Sequence, residues 1–370
     1  MKKIIAMLLA LVMVLGLAAC ATKTEPAQPE ETTPAETTDT PATEEPTPAE
    51  TETEEPAATE ASGSVYYLNF KPEADEAWQK LAATYTEQTG VPVKVVTAAS
   101  GTYDTTLAAE LDKSSAPTLF QCGNQGAINS YGDYCYPLDG TAIMDQMTTD
   151  AFNLKGEDGQ TLSIGYCYEA FGIIVNKALL EKAGHSIDEI TNFDSLKAVA
   201  DDIHARADEL GFDAFSSAGL DGSSSWRFSG HLANMPLFYE FRDDGVTAQP
   251  ATITGAYLNN FKNIWDLYVN DSAADPTTLS TATKDESCAE FTEGKAVFYQ
   301  NGTWEYSGLI DAGMTDDQLA MIPIYCGVDG EENAALCSGT ENCWAINSKA
   351  SEEDIQASMD FLVWLVTDPD

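Results

Sequence analysis

From residue 65 onward the apolar residues of this chain fall into two alternating rhythms. Residues 65–70 form a short apolar run of strand type. Trp78, Leu81 and Tyr85 then recur at helical spacing until Gly90 stops them. Residues 91–96 are a second strand. Strand, helix and strand in so short a span make a βαβ unit, so the sheet is parallel there. Residues 107–111 continue a second helix and 118–120 a third strand, which ends in Gln121-Cys122-Gly123-Asn124. Ligands of open α/β sheets collect outside the carboxyl ends of strands. Asn69, Lys71, Gln121 and Asn124 are therefore candidate contacts on pattern alone.

Further along, Glu157-Asp158-Gly159 predicts a hairpin turn. The strand after it carries Tyr166, Tyr168 and Glu169 and runs into 171–175. Residues 191–194 start a helix in the manner of a capping box, with Phe193, Leu196, Val199 and Ile203 on one face and Gly211 as its stop. Residues 219–227 form a Gly/Ser-rich loop that delivers Trp226 and Arg227. Loops carry sites more often than helices do, and an arginine fork suits two hydroxyls or a carboxylate. Packing between parts of the molecule is the other reading of that pair. Leu258, Phe261, Trp265 and Tyr268 predict another amphipathic helix, with Trp265 in the core.

The most informative stretch is 287–306. Ala289 and Phe291 end a helix that Gly294 terminates in the left-handed conformation. Residues 296–299 read as a covered strand, Asn301-Gly302 as a turn, and Trp304 stands just past it. An indole beside amide side chains at a strand's end suits the apolar face and hydroxyl edge of a sugar. The same pattern suits a core indole. Residues 320–325 then read as a strand returning to the first part of the molecule. Residues 336–340 and 343–347 follow, with Glu341 in the loop between them. Ser351 caps a last helix carrying Ile355, Met359, Leu362 and Val366.

The N-terminus changes the picture. Met1-Lys2-Lys3 is a basic leader, residues 4–17 an apolar stretch too short to span a bilayer comfortably, and Leu17-Ala18-Ala19-Cys20 a lipobox. Residues 1–20 are thus expected to be a lipoprotein signal peptide, with Cys20 as the lipid-bearing residue. Residues 21–60 are almost wholly Thr, Glu, Pro and Ala and bury too little apolar surface to fold. They read as an extended tether, an adhesive stalk being the alternative. Of the net charge of −42, the tether supplies 12 acidic residues and one lysine, which leaves 48 acidic and 15 basic residues for the globular part. So acidic a surface argues against nucleic acid and anionic lipid as partners. Seven cysteines follow Cys20. That odd number without C-x-x-C spacing is neither a disulfide framework nor a zinc site, with Cys122–Cys135 and Cys337–Cys343 left open as bridges. The three histidines lack metalloprotease spacing, and no nucleophile elbow, phosphate loop or dinucleotide fingerprint is present. No catalytic, metal or cofactor site is expected.

Three stretches in fixed order resemble one family. They are Phe291 to Trp304 with its Gly294-Lys295-Ala296 and Asn301-Gly302, Phe171 to Gly184 around Asn176-Lys177, and Cys343 to Asn347 before the last helix. Together they resemble the family 1 extracellular solute-binding proteins of ABC importers, the maltose-binding-protein type, over roughly 64–370. The resemblance implies an α/β, two-lobe periplasmic-binding-protein-like fold of type II, each lobe a mixed sheet flanked by helices, with the ligand cleft between. It places residues 64–174 and 326–370 in lobe 1 and 175–325 in lobe 2, after a tether at 21–63. Further helices of the second lobe are expected beyond 370. It implies that Trp304 stacks on a sugar and that Tyr168 and Glu169 face the cleft from a hinge. Trp226, Asn124 and Asn69 join them, with Arg227, Asn301 and Glu341 as further hydroxyl partners. The expected function is a monomeric, membrane-anchored binding protein. It hands a carbohydrate to ABC permease subunits, on the outer face of a Gram-positive-type membrane or on the periplasmic side. Alternative solutes are iron, through Tyr131, Tyr134 and Tyr136, an organic acid through Arg227, or a polyamine. A surface hydrolase is the alternative from another class.

Overall fold

A computed structural model describes residues 63–216, 219–248, 250–340 and 343–368. The signal peptide, Cys20, the tether and Glu341 lie outside the described residues. The chain begins with β1 (Val65–Asn69), α1 (Asp75–Thr89), β2 (Val93–Thr97), α2 (Tyr103–Leu111), β3 (Leu119–Cys122), α3 (Gln125–Tyr131), β4 (Leu154–Lys155) and β5 (Thr161–Gly165). It continues through β6 (Glu169–Asn176), α4 (Lys177–Lys182), α5 (Phe193–Ala205), α6 (Ala207–Leu210), β7 (Asp213–Phe215), α7 (Ala233–Asp244) and α8 (Leu258–Asn270). Then come α9 (Lys284–Thr292), β8 (Ala296–Gly302), α10 (Tyr306–Asp311), β9 (Leu319–Ile322), β10 (Cys337–Gly339), β11 (Cys343–Ile346) and α11 (Glu352–Thr367).

Two sheets form, in the orders β2-β1-β3-β11-β5-β4 and β10-β6-β8-β7, with β9 also on β6. In the first, β1 runs parallel to β2 and β3, and β11 lies antiparallel between β3 and β5. Successive side chains point to opposite faces of a strand. Tyr67, Leu119 and Ile346 accordingly pack with Trp78, Tyr85 and Phe361 on one face, while Leu68, Phe120 and Ala345 pack with Tyr103 and Leu107 on the other. Trp78, Ala82 and Tyr85 are the buried stripe of α1, and Gly90 closes that helix at φ 77°. This lobe is a sheet between two helical layers, as both-sided burial of parallel strands requires.

The second sheet is centred on β6, antiparallel to β8 on one edge and to β9 and β10 in succession on the other. Val175 faces the larger core with Phe215, Phe228 and Phe298, and Ile174 faces a smaller one with Phe291 and Tyr299. Strand pairing thus puts residues 169–174 in the second sheet, where the expected boundary had them in the first. It does the same for 337–339, and 319–322 does not return to the first lobe. The physical reason lies in β6: residues 173–175 are buried on both faces and need hydrogen-bonded neighbours on both edges. The chain passes between the sheets at 166–168 and again between Gly339 and Cys343. All seven described cysteines are unpaired thiols, so neither bridge left open by the sequence is made.

Candidate functional site at the junction of the lobes

The turn after β1 is held by an amide. Buried Asn69 donates from Nδ2 to the Lys71 carbonyl at 2.7 Å and to Thr97 Oγ1 at 3.1 Å, and its Oδ1 accepts from the Lys71 N–H at 3.1 Å. Phe70 is thereby turned outward, its N–H donating to Gln121 Oε1 at 2.6 Å. Gln121 in turn donates to the Tyr166 hydroxyl at 2.9 Å. Asn124 is exposed and caps α3 by accepting from the Ala127 N–H at 3.0 Å. With Phe70, Tyr103, Gln121 and Tyr131 it lines a concavity of about 330 Å3 on the first lobe.

The second lobe contributes an aromatic cluster. β8 ends at Gly302, and one tight turn, Thr303–Glu305, presents Trp304. Glu305, buried, anchors that turn by accepting from Lys284 Nζ at 3.0 Å and from the Tyr299 hydroxyl at 3.2 Å. The Trp304 ring lies 6.0 Å from that of Trp226 and 5.4 Å from that of His231. Trp226 is held by its indole N–H, which donates to the Ser223 carbonyl at 2.8 Å. His231 stacks flat on Phe171 at 3.9 Å. Burial first, and then the Arg227 charge, push the His231 imidazole down to about 3. It is therefore neutral, with Nδ1 accepting from Gln300 Nε2 at 2.9 Å.

Lys71 joins the two lobes. Its ammonium pairs with Glu73 at 3.0 Å and with Glu169, the first residue of β6, and stands 5.7 Å from the centre of the Trp304 ring. Burial alone pushes its pKa down. The charges of and hydrogen bonds to Glu73 and Glu169 outweigh that, so it is raised and Lys71 stays charged. Around the cluster, Lys71 faces Glu73 and Glu169, and Lys284 faces Glu305.

The expected site residues divide into three groups. Trp304 and Glu169 meet at Lys71, and Trp226 stands beside Trp304. Tyr168 is 63 % exposed in the crossing between sheets, edge-on to Phe152 at 4.9 Å, and Asn124 lies on the first-lobe concavity. Asn69, Asn301 and Arg227 are buried and hold the protein instead of presenting to a solute. Arg227 is 2 % exposed, with its fork on the Gln300 carbonyl at 3.2 Å and Ser287 Oγ at 3.1 Å. Asn301 donates to the Tyr299 hydroxyl at 2.6 Å and accepts from the Gly302 N–H at 3.0 Å. The predicted turn at Asn301-Gly302 is the end of β8, where both residues pair with β6. Tyr136 packs on one face of the first sheet and Tyr131 and Tyr134 on the other, so the three tyrosines do not converge. Among the described residues no group of three or more His, Cys, Asp or Glu side chains is arranged to hold a metal ion. His231 and Phe171 were not among the expected site residues.

Comparison with known proteins adds the following. A family model described as bacterial extracellular solute-binding protein matches residues 80–370. No curated protein matches the sequence. A protein solved in a study of xylan utilization by the thermophilic bacterium Caldanaerobius polysaccharolyticus superposes with a TM-score of 0.63 at 18% identity, covering 82% of this chain and 79% of that one. The GacH receptor of Streptomyces glaucescens, solved unliganded and with acarbose, gives 0.61 at 21% identity, covering 82% and 76%. An ABC transporter solute-binding protein from Thermotoga lettingae, bound with α-D-tagatose, gives 0.62 at 16% identity, covering 82% and 79%. At these identities the likeness is one of fold: two lobes of mixed α/β structure.

Proposed function

The chain belongs to the bacterial extracellular solute-binding protein family, and from that premise we propose that it is the membrane-anchored receptor of an ABC importer, taking a neutral carbohydrate between its lobes. The family works outside the cytoplasmic membrane, in transport and not in catalysis. The observation that carries the carbohydrate reading is the pair of indoles, Trp304 and Trp226, beside the Lys71–Glu169 ion pair at the lobe junction. An indole face buries the C–H surface of a pyranose, while a neighbouring carboxylate accepts from its hydroxyls. The two lysines at the cluster are already paired with carboxylates, which favours a neutral solute over an organic acid or a polyamine. The sugars bound by the acarbose and tagatose receptors point the same way.

Delivery works by closure. The described crossing at 166–168 leads from the first sheet into the second and serves as a hinge. A solute that touches both lobes favours the closed form by its differential affinity, and the permease reads that form. Both sheets and the junction between them come from one copy of the chain, which fits action as a monomer. Anchoring follows from the lipobox, with lipid on Cys20. Cys20→Ser is expected to release the protein into the medium and to abolish the lipid mass increment.

The test is a thermal-shift screen of the folded part with mono- and oligosaccharides, amino acids, organic acids, polyamines and iron, followed by calorimetry. A solute at a hundred times its Kd stabilises by about 2.7 kcal/mol. Trp304→Ala is expected to weaken the responding sugar by at least about tenfold, since ring stacking adds to the apolar area the indole buries and about 1.4 kcal/mol in all is enough for that change. A melt that answers only to iron or to an acid would replace the carbohydrate; unchanged affinity in Trp304→Ala would remove that indole from the site.

A further inference from the structure

Lys71 makes more contacts than a lysine at a strand end needs. Its side chain is 12 % exposed and has a carboxylate on each lobe, Glu73 and Glu169, with the Trp304 face beside it. Asn69 holds both the N–H and the carbonyl of Lys71, so the base of the side chain is fixed and only its ammonium end has freedom. A solute ring that lies on Trp304 must share that face with an ammonium belonging to the chain, or take it.

We propose that Lys71 is a specificity-determining residue of the cleft: a tethered competitor for the Trp304 face that yields to solutes able to donate hydrogen bonds to Glu169 in its place. This rests on the carbohydrate reading above. The exchange leaves no charge bare. Glu169 trades an ammonium for hydroxyl donors, and Lys71 keeps Glu73, two residues along its own lobe. A ring with one apolar face and adjacent hydroxyls meets both demands. A plain ring covers the indole but offers Glu169 nothing in exchange, so the charge-assisted hydrogen bond from Lys71 is given up without replacement. An anionic ring adds a third carboxylate beside Glu73 and Glu169, which like-charge repulsion opposes. Trp304 alone would accept any flat apolar surface; Lys71 with its two carboxylates supplies the discrimination.

The experiment titrates the neutral sugar that most raises the melting temperature, and benzyl alcohol as a ring with a single hydroxyl, into wild type, Lys71→Met and Glu73→Gln. Each form is first shown to melt cooperatively. Lys71→Met is expected to bind the sugar about tenfold more tightly, the scale of one desolvated cation–π contact, and to gain binding of benzyl alcohol. Glu73→Gln is expected to bind the sugar more weakly, because Lys71 then has no partner to fall back on. Weaker sugar binding by Lys71→Met, as for a residue that simply hydrogen-bonds the solute, overturns the proposal, as does equal binding by both forms. Silence from every carbohydrate in wild type and in Lys71→Met overturns the carbohydrate reading itself.

Discussion

The six-membered ring of Trp304 lies against Gly302, so that a Cβ built on Gly302 would stand 2.2 Å from Cη2 and Cζ3 of the indole. The backbone there is extended, at φ −127°, and any residue can adopt it. Glycine is required by the ring's close approach and not by the backbone. Gly302→Ala is expected to push Trp304 off its seat while leaving β8 paired. Calorimetry should show at least about tenfold weaker solute binding with the near-ultraviolet indole signal altered. Unchanged affinity would mean that the ring finds an equivalent position.

Arg227 supports the cluster from inside the lobe. Its fork spans Ser287 and the Gln300 carbonyl, and its guanidinium lies 5.4 Å from the Tyr299 ring centre. A lysine is a point charge without that fork. Arg227→Lys is expected to destabilise the protein by about 2 kcal/mol, the scale of hydrogen bonds to a buried charged group. A denaturant titration measures this. Loss of solute affinity with stability unchanged would return Arg227 to the binding surface.

Asp271 predicts a stability change on the acid side of neutrality. Burial first, and then the neighbouring Asp201 carboxylate, push its carboxyl up to about 6, and its Oδ2 is buried without a partner. The folded pKa lies above the unfolded value, so the group favours folding at low pH and that contribution is lost as pH rises from about 4 through about 6. Asp271→Asn is expected to raise the melting temperature at pH 7.5 and to leave it nearly unchanged at pH 4.5. A gain of the same size at both pH values would exclude this cause.

His231 has the opposite sign. Its folded pKa of about 3 is below the unfolded value, so it favours folding above about 6.5 and that contribution is lost as pH falls below this. His231→Phe keeps the stack on Phe171. It is expected to lose less melting temperature than wild type between pH 6.5 and 4.5, in paired melts by circular dichroism. Parallel losses would show that the His231 imidazole titrates alike in the folded and unfolded protein.

Much of this was legible in the residues. The helical stripe of Trp78 and Tyr85, the stop at Gly294 and the emergence of Trp304 after a covered strand all rest on local periodicity and turn chemistry. The polar residues were harder. Asn69 and Asn301 stand at strand ends, where a ligand and the protein's own polar groups compete for the same amide, and here the protein takes both: Asn69 holds the Lys71 carbonyl and N–H, and Asn301 holds the Tyr299 hydroxyl and the Gly302 N–H. His231 was hidden by geometry. It stands five positions after Trp226, which in an α-helix would turn them well apart. The segment Arg227–Leu232 is a π-helical turn, whose i→i+5 bonding puts such positions on one face and brings the two rings to 4.9 Å. The start of the second sheet was misplaced because 171–175 is apolar without interruption, a pattern that marks a buried strand without saying which sheet buries it.

The position of β11 bears on how the molecule is made. It is the inner strand between β3 and β5, yet it is synthesised after every strand of the second sheet. While the ribosome is still working through the second lobe, the first holds two strands with facing, unsatisfied edges and no way to join them. Among the described residues the second sheet has all its strands by Gly339, before β11 is made. A chain bound for export must stay threadable until it is across the membrane, and a first lobe that cannot close its sheet until residues 343–346 arrive is delayed by its own topology.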